Sequence, residues 1–281
     1  MRKILWKLGR FISSPYRWIR SLIQQSKTFL NNEEEDTPLP DVIAKTAQDL
    51  DGVFYHINEL RKRLFWSAMA MVVTTGFSLF FASQIIDLMS KPIGGIGKLQ
   101  AIDVTESIGV FMKVSLLSGF ALALPFIAFQ FWIFVAPGLN RKPRLYGLIA
   151  IPAVFVFFIG GMAFAYYIMM PAALPFLMHF LGIATIPRPS NYINFVTNLL
   201  FWIGLTFEFP LVIYILAIMG LVKAIFLLKQ WRYAVVIIAV VAAAVTPTVD
   251  PVNMSLVMAP MILLYFLSVG LAAIAQRGRP A

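Results

Sequence analysis

Long apolar runs recur along this chain, and they constrain its fold more than any other feature. In a bilayer every backbone N–H and C=O must find a partner within the protein, so an apolar run that crosses the membrane has to be a helix or part of a closed barrel. A helix needs about 20 apolar residues to cross about 30 Å of hydrocarbon at about 1.5 Å rise per residue. Six runs meet or approach that length: 65–88, 109–136, 146–177, 194–220, 231–246 and 251–274. The chain is therefore expected to be an all-α membrane protein. Its composition agrees: 60% of the 281 residues are hydrophobic, 13% are charged, and mean hydropathy is +0.81, against about 25% charged in soluble domains.

Several runs carry prolines. Pro125 lies in the second, Pro210 in the fourth and Pro260 in the sixth. The third is interrupted by Pro152, Gly160-Gly161, Pro171 and Pro175. In the fifth, the uninterrupted apolar stretch Tyr233–Val245 is 13 residues long. That is about 20 Å of helix, and it implies local bilayer thinning or shelter among neighbouring helices.

The net charge of +10 would point to nucleic acid in a soluble protein. Here the distribution of the charge explains it. With the runs taken as spans, 19 of the 23 basic residues fall on one side, and only Lys91, Lys98, Lys113 and Arg188 fall on the other. The positive-inside rule then places both termini in the cytoplasm. The chain has no cysteine, which excludes disulfides and thiolate metal sites. Its two histidines, His56 and His179, are too far apart in sequence to suggest a metal cluster. No glycine-rich phosphate loop, HExxH or nucleophile elbow is present, so no catalytic residue, cofactor or metal is expected.

The first 45 residues differ in kind. Ile4, Leu8, Phe11 and Ile12 follow helical spacing, with Arg2, Lys3, Lys7 and Arg10 set mostly between them, and Trp18, Ile19, Leu22 and Ile23 continue after Ser13-Ser14-Pro15. Basic amphipathic helices of this type lie in the headgroup plane; a loosely ordered basic tail is the alternative. "NNEEEDTPLPD" (31–41) reads as an acidic linker. The expected organisation is a cytoplasmic, membrane-surface extension over 1–45, a six-span domain over 46–276 and a short cytoplasmic tail over 277–281.

Polar residues within the apolar runs are candidates for function. Glu208, in "LTFEFPLV", lies two residues before Pro210. A carboxylate at mid-membrane costs about 2.5–3.5 kcal/mol on insertion scales, so it should be protonated, paired or facing a wet cavity. Gln130, in "FIAFQFWIFVAPGL", can hydrogen-bond a neighbouring helix. Asp250-Pro251 has the form of a helix start, with a capping carboxylate followed by proline at the first helical position. In "YHINELRKRLFW" (55–66), Glu59 and Arg63 stand four apart in the favourable order for a surface pair. Two readings of Glu59 are open: a solvated pair with Arg63, or a carboxylate that accepts a partner's guanidinium.

The motifs, taken in order, resemble one family. "HINELRKRL" (56–64), "SKPI" (90–93), "LPFIAFQFWIFVAPGL" (124–139), "GMAFAYYIMMPAALPF" (161–176), "YINFVTNLLFWIGLTFEFPLVIYIL" (192–216), "RYAVVIIAVVAAAVTPTVD" (232–250) and "MAPMILLY" (258–265) are similar to the successive spans of the TatC family, the multi-spanning subunit of the twin-arginine, Sec-independent protein translocase. The resemblance covers about 50–276. It implies six transmembrane helices in a concave, glove-shaped bundle with short fifth and sixth helices. It implies a non-enzymatic twin-arginine signal-peptide receptor and scaffold that moves folded proteins using the proton-motive force. The implied partners are single-span TatA- and TatB-type subunits, the signal peptides of folded cargo, membrane lipids and further copies of the chain, with no nucleic acid. The implied location is a prokaryotic cell membrane, or alternatively a thylakoid membrane. By position, Glu59 and Arg61, with Phe134, Pro137 and Leu139, match the signal-peptide site. Glu208 and Gln130 match intramembrane positions near partner helices, and Pro92 and Asp250 match external loops. Two departures stand out. Pro143 replaces the glutamate usual after the PGL turn, and Phe266 stands where many members carry a glutamate.

The resemblance leaves two other readings to weigh. One is a proton-coupled solute transporter built around Glu208. The other is a membrane assembly factor without a transport role.

Overall fold

A computed structural model describes residues 50–136, 141–178, 186–246 and 251–277. All regular structure in these segments is helical: α1 Leu50–Ser78, α2 Ala82–Ser90, α3 Glu106–Val135, α4 Arg141–Phe164, α5 Met170–Met178, α6 Pro189–Met219, α7 Ala224–Lys229, α8 Trp231–Val245 and α9 Pro251–Arg277. The basic extension lies outside the described residues. So do Pro137, Leu139 and Asp250 among the candidate site positions.

Among the described residues, four stretches are long and apolar enough to cross a bilayer: Glu106–Val135, Ala150–Met178, Pro189–Met219 and Pro251–Gln276. A fifth exists if the bent pair His56–Ser78 and Ala82–Ile93 is one span. α8 has 15 residues, about 22 Å, and falls short of the hydrocarbon thickness.

The first apolar run, expected as one span over 65–88, is instead bent by 74° between α1 and α2. No proline causes this. The backbone tightens to i→i−3 bonds, with Phe80 N–H donating to Phe77 O and Phe81 N–H to Ser78 O. The Phe77 and Phe81 rings lie 5.3 Å apart across the turn. The bend lets α2 bury Ala82, Ile86 and Met89, and Ile86 and Met89 join the main core.

The third run also changes character along its length. A π-helical turn, Ala165–Met169, joins α4 to α5. Pro171 has no N–H for the carbonyl of Tyr167, so one α-helical bond is missing beside this turn. The helix widens here, and Met170 N–H donates to Ala165 O, the i→i−5 pattern of a π-bulge. By contrast, Pro125, Pro210 and Pro260 remain inside α3, α6 and α9.

α6 is the central helix and packs against α3, α4 and α9. Its buried residues Ile193, Val196, Leu200 and Ile203 meet Val114 and Leu117 of α3, Met169 and Met170 at the π-turn, and Val257 and Met261 of α9. Small residues allow close crossings, as is usual where lipid gives no hydrophobic drive between helices. A Cβ on Gly161 of α4 would lie 2.8 Å from Gly204 Cα on α6, and one on Gly119 of α3 would lie 2.6 Å from Thr75 Cα on α1. Thr74 Oγ1 donates to Gly119 O at 2.8 Å across the second crossing. Gly220 ends α6 with φ 82°, its N–H bonding Ala217 O and Leu216 O.

Candidate functional site

α1 and α3 run side by side and antiparallel, which brings the start of α1 beside the end of α3. On α1, Glu59 and Arg63 are one helical turn apart and face the same neighbour. Arg63 Nη2 donates to Glu59 Oε1 at 3.1 Å, and Arg63 Nη1 donates to Gln130 Oε1 of α3 at 3.3 Å. One guanidinium therefore bridges the acid of α1 and the amide of α3. One turn before Glu59, His56 meets Phe134 edge-on at 6.4 Å. This puts Glu59, Gln130 and Phe134 along a single seam. Arg61 is exposed.

The seam is partly open: the side chains of Arg63 and Glu59 are 23% and 19% accessible. Glu59 uses one oxygen toward Arg63, and its other oxygen makes no hydrogen bond among the described residues. A planar cation from outside could approach that second oxygen or take over the first. Carboxylates favour guanidinium in this role because two parallel N–H···O bonds can form. Arg63 Nε is buried and has no hydrogen-bond partner among the described residues, so the arginine that holds Glu59 is itself incompletely satisfied.

Glu208 is elsewhere. It is 6% exposed on α6, and neither carboxylate oxygen has a hydrogen-bond partner among the described residues. Eleven residues separate it from the end of α6 at Met219, about 16 Å of helix, whereas Gln130 is about 8 Å from the end of α3. Ala136, next to the end of α3, packs near Met219, so the two helix ends lie at the same level and Glu208 is deeper than Gln130. Gln130 lies beside Glu59, where Arg63 reaches across from α1, and apart from Glu208.

At the opposite end of the bundle, Pro92 is exposed in a short 3₁₀ turn, Lys91–Ile93. That end also carries contacts between residues far apart in sequence. Arg188, just before α6, pairs with Glu106 at the start of α3. Lys113 Nζ donates to Asn194 Oδ1 at 2.6 Å. Tyr192 and Tyr166 hydroxyls donate to Met89 O and Leu88 O at 2.7 and 2.6 Å. In the adjoining loop, the Thr105 backbone N–H and side chain hold the Asp103 carboxyl below its ordinary value. Sequence reasoning missed Glu106 and Arg188 as a pair. Lys113 inside an apolar run was the one available signal.

The sequence profile described as "Sec-independent protein translocase protein (TatC)" matches residues 55–260. The Sec-independent protein translocase protein TatC of Koribacter versatilis is 35% identical over 247 residues, covering 83% of this chain and 90% of that protein. The TatC of Carboxydothermus hydrogenoformans is 34% identical, covering 78% and 92%. The crystal structure of a twin-arginine translocase receptor, TatC, superimposes with a TM-score of 0.70 at 31% identity, covering 79% of this chain and all of that one. The apolar helices make the chain a multi-pass membrane protein, and these likenesses over most of its length show that it belongs to the TatC family of Sec-independent protein translocase subunits.

Proposed function

We propose that the chain is the receptor that binds twin-arginine signal peptides and the scaffold on which the translocase moves folded proteins. The observation that carries this reading is the half-open carboxylate of Glu59, held beside Gln130 and Phe134 by a guanidinium of the chain's own. A signal peptide's arginine pair would enter this seam and bind Glu59 in place of Arg63 or beside it. Arg61, Pro137 and Leu139 complete the site by family position. With proline at 143, Glu59 is the one carboxylate among the positions matched to the signal-peptide site. Measuring the binding of a fluorescent twin-arginine peptide to the purified chain, with a twin-lysine control, tests the reading. Preference for the arginine peptide supports it; equal binding removes it.

In this reading α1–α2 and α8 count as spans with the four long stretches. That gives six helices in a concave bundle with both termini in the cytoplasm; the fifth, α8, is short as expected, whereas the sixth, α9, has 27 residues and is a full-length span rather than the short helix expected. Residues 1–45 lie on the cytoplasmic membrane surface. Glu208 serves the membrane-embedded side, where TatA- and TatB-type single helices would dock, with transport driven by the proton-motive force. Glu208→Gln should leave peptide binding intact and impair complex assembly or transport. Loss of peptide binding with normal assembly would contradict that division. Pro92 and Asp250 belong to loops on the opposite face.

One observation favours a second reading, a proton-coupled transporter: both Glu208 oxygens are buried without a hydrogen-bond partner among the described residues. Proton-coupled solute uptake by the chain alone in liposomes would support it, and absence of uptake together with intact peptide binding would remove it.

A further inference from the structure

A cavity of about 570 Å³ opens where α7 meets α8, lined by Leu228, Lys229, Trp231, Arg232, Tyr233 and Val236. It lies at the same end of the bundle as the last turn of α9. Gln276 there donates to Val222 O just ahead of α7 and accepts from the N–H of Ala224, the first residue of α7, and Tyr265 OH donates to Leu227 O within it. These bonds fix α7 in place, yet its Ile225, Phe226 and Leu228 are exposed. The exposed apolar surface continues along α8 through Val236, Ile237 and Val240. The cavity is an open surface depression whose lining residues are all exposed, with Lys229 and Arg232 beside the apolar Leu228 and Val236.

We propose that this cavity is a binding site for the headgroup of an anionic phospholipid, with the acyl chains lying along Val236 and Val240. Three features support the assignment. First, Lys229 and Arg232 form no ion pair among the described residues, and Arg232 rests over the Trp231 ring at 5.9 Å, which leaves the outer side of its guanidinium available to phosphate oxygens. Second, Arg232 is the second residue of α8, and no side chain caps that helix start. A cation is disfavoured at a helix N-terminus and an anion is favoured there, so a bound phosphodiester would answer both the uncapped N–H groups and the arginine. Third, Trp231 and Tyr233 stand beside the cations, and these two residue types concentrate at headgroup level. The 15-residue α8 strengthens the case. A span too short for the bilayer draws its ends and the adjacent lipid headgroups inward.

Trp231 makes the site directly measurable. The full chain is reconstituted in phosphatidylcholine vesicles containing tail-brominated phosphatidylglycerol or tail-brominated phosphatidylcholine. The Trp231 component of the quenching is the difference between the chain and its Trp231→Phe variant. Phosphatidylglycerol should quench Trp231 at a lower mole fraction than phosphatidylcholine, by about fivefold for each basic residue engaged. Lys229→Gln with Arg232→Gln should remove the preference, while Lys229→Arg with Arg232→Lys should keep most of it. Equal quenching by the two lipids, or a preference that survives the double glutamine change, would overturn the proposal. Displacement of phosphatidylglycerol by sn-glycerol 3-phosphate would also overturn it, since the site would then read phosphate without the lipid. A preference seen only after Glu33, Glu34 and Glu35 are changed to Gln would mean that the chain's own acidic stretch fills the cavity, and would overturn it too.

Discussion

The two ends of the α1–α3–α6 assembly use polar residues in opposite ways. At the end bearing Glu106, contacts join distant parts of the sequence: Glu106 with Arg188, Lys113 with Asn194, and the Tyr192 and Tyr166 hydroxyls with the carbonyls of α2. At the end bearing Glu59, one arginine spans an acid and an amide. Both acids leave one oxygen without a hydrogen bond among the described residues, but the Glu106 side chain is 6% accessible and the Glu59 side chain 19%. The first arrangement holds α2, α3 and α6 in a fixed relation. The second holds charge in a form that a ligand can claim, because exchanging one guanidinium for another there changes little in the packing. The comparison separates a scaffold end from a reading end.

Breaking the closed end should have the largest effect. Arg188→Ala leaves Glu106 buried without its partner. The cost should be about 2 kcal/mol of stability, below the ~3–5 kcal/mol of a fully buried pair because the arginine is 41% exposed. Thermal unfolding in detergent should register this loss, with twin-arginine peptide binding changed less than twofold among the molecules that remain folded. A large loss of peptide affinity in folded protein would mean that the two ends are not separate in function.

Next in size is Glu59→Gln. It removes a charge-assisted contact worth about 1.5–2 kcal/mol, so peptide affinity should fall about tenfold or more. Unfolding should move little, since an exposed i,i+4 pair contributes only about 0.3–0.5 kcal/mol. An affinity change under about twofold would return Glu59 to a surface pair. Smaller again is Arg63→Gln, which frees Glu59 from its internal partner. Peptide binding should tighten by about twofold, matching the ~0.5 kcal/mol of the released pair. Weaker binding would instead make Arg63 part of the receptor surface.

The smallest effect is expected at Asp103, in the loop before α3. Its carboxyl is held below the ordinary value by Thr105, so the folded state favours the ionised form. That contribution is fully present at neutral pH and fades as the pH falls through the lowered value. Asp103→Asn should therefore lower the unfolding temperature slightly at pH 7, with the difference vanishing in acid. A difference that grows in acid would contradict the sign.

Much of this architecture was legible in the sequence because apolar length registers directly in a membrane helix. The runs 109–136, 194–220 and 251–274 correspond to helices Glu106–Val135, Pro189–Met219 and Pro251–Arg277. The bend after Ser78 was not legible: Leu79, Phe80 and Phe81 are as apolar as a span requires, and the break comes from packing α2 onto the core. The π-turn was half legible, since the prolines marked an interruption without saying that the helix would widen and continue. At the site, Glu59 and Arg63 were visible as neighbours at helical spacing. The bridge to Gln130, 67 residues beyond Arg63, depends on how α1 and α3 align, and local patterns carry no such information. Glu106 and Arg188 were hidden for the same reason, being 82 residues apart.

The central claim is that Glu59 reads the guanidinium groups of a signal peptide. A double-mutant cycle tests it most directly, comparing the binding of twin-arginine and twin-lysine peptides to the chain and to its Glu59→Gln variant. The account predicts coupling of about 1 kcal/mol or more, so that replacing the arginines weakens binding to the unmodified chain by at least about fivefold more than to the variant. Additive effects, with the twin-lysine penalty unchanged by Glu59→Gln, would contradict it.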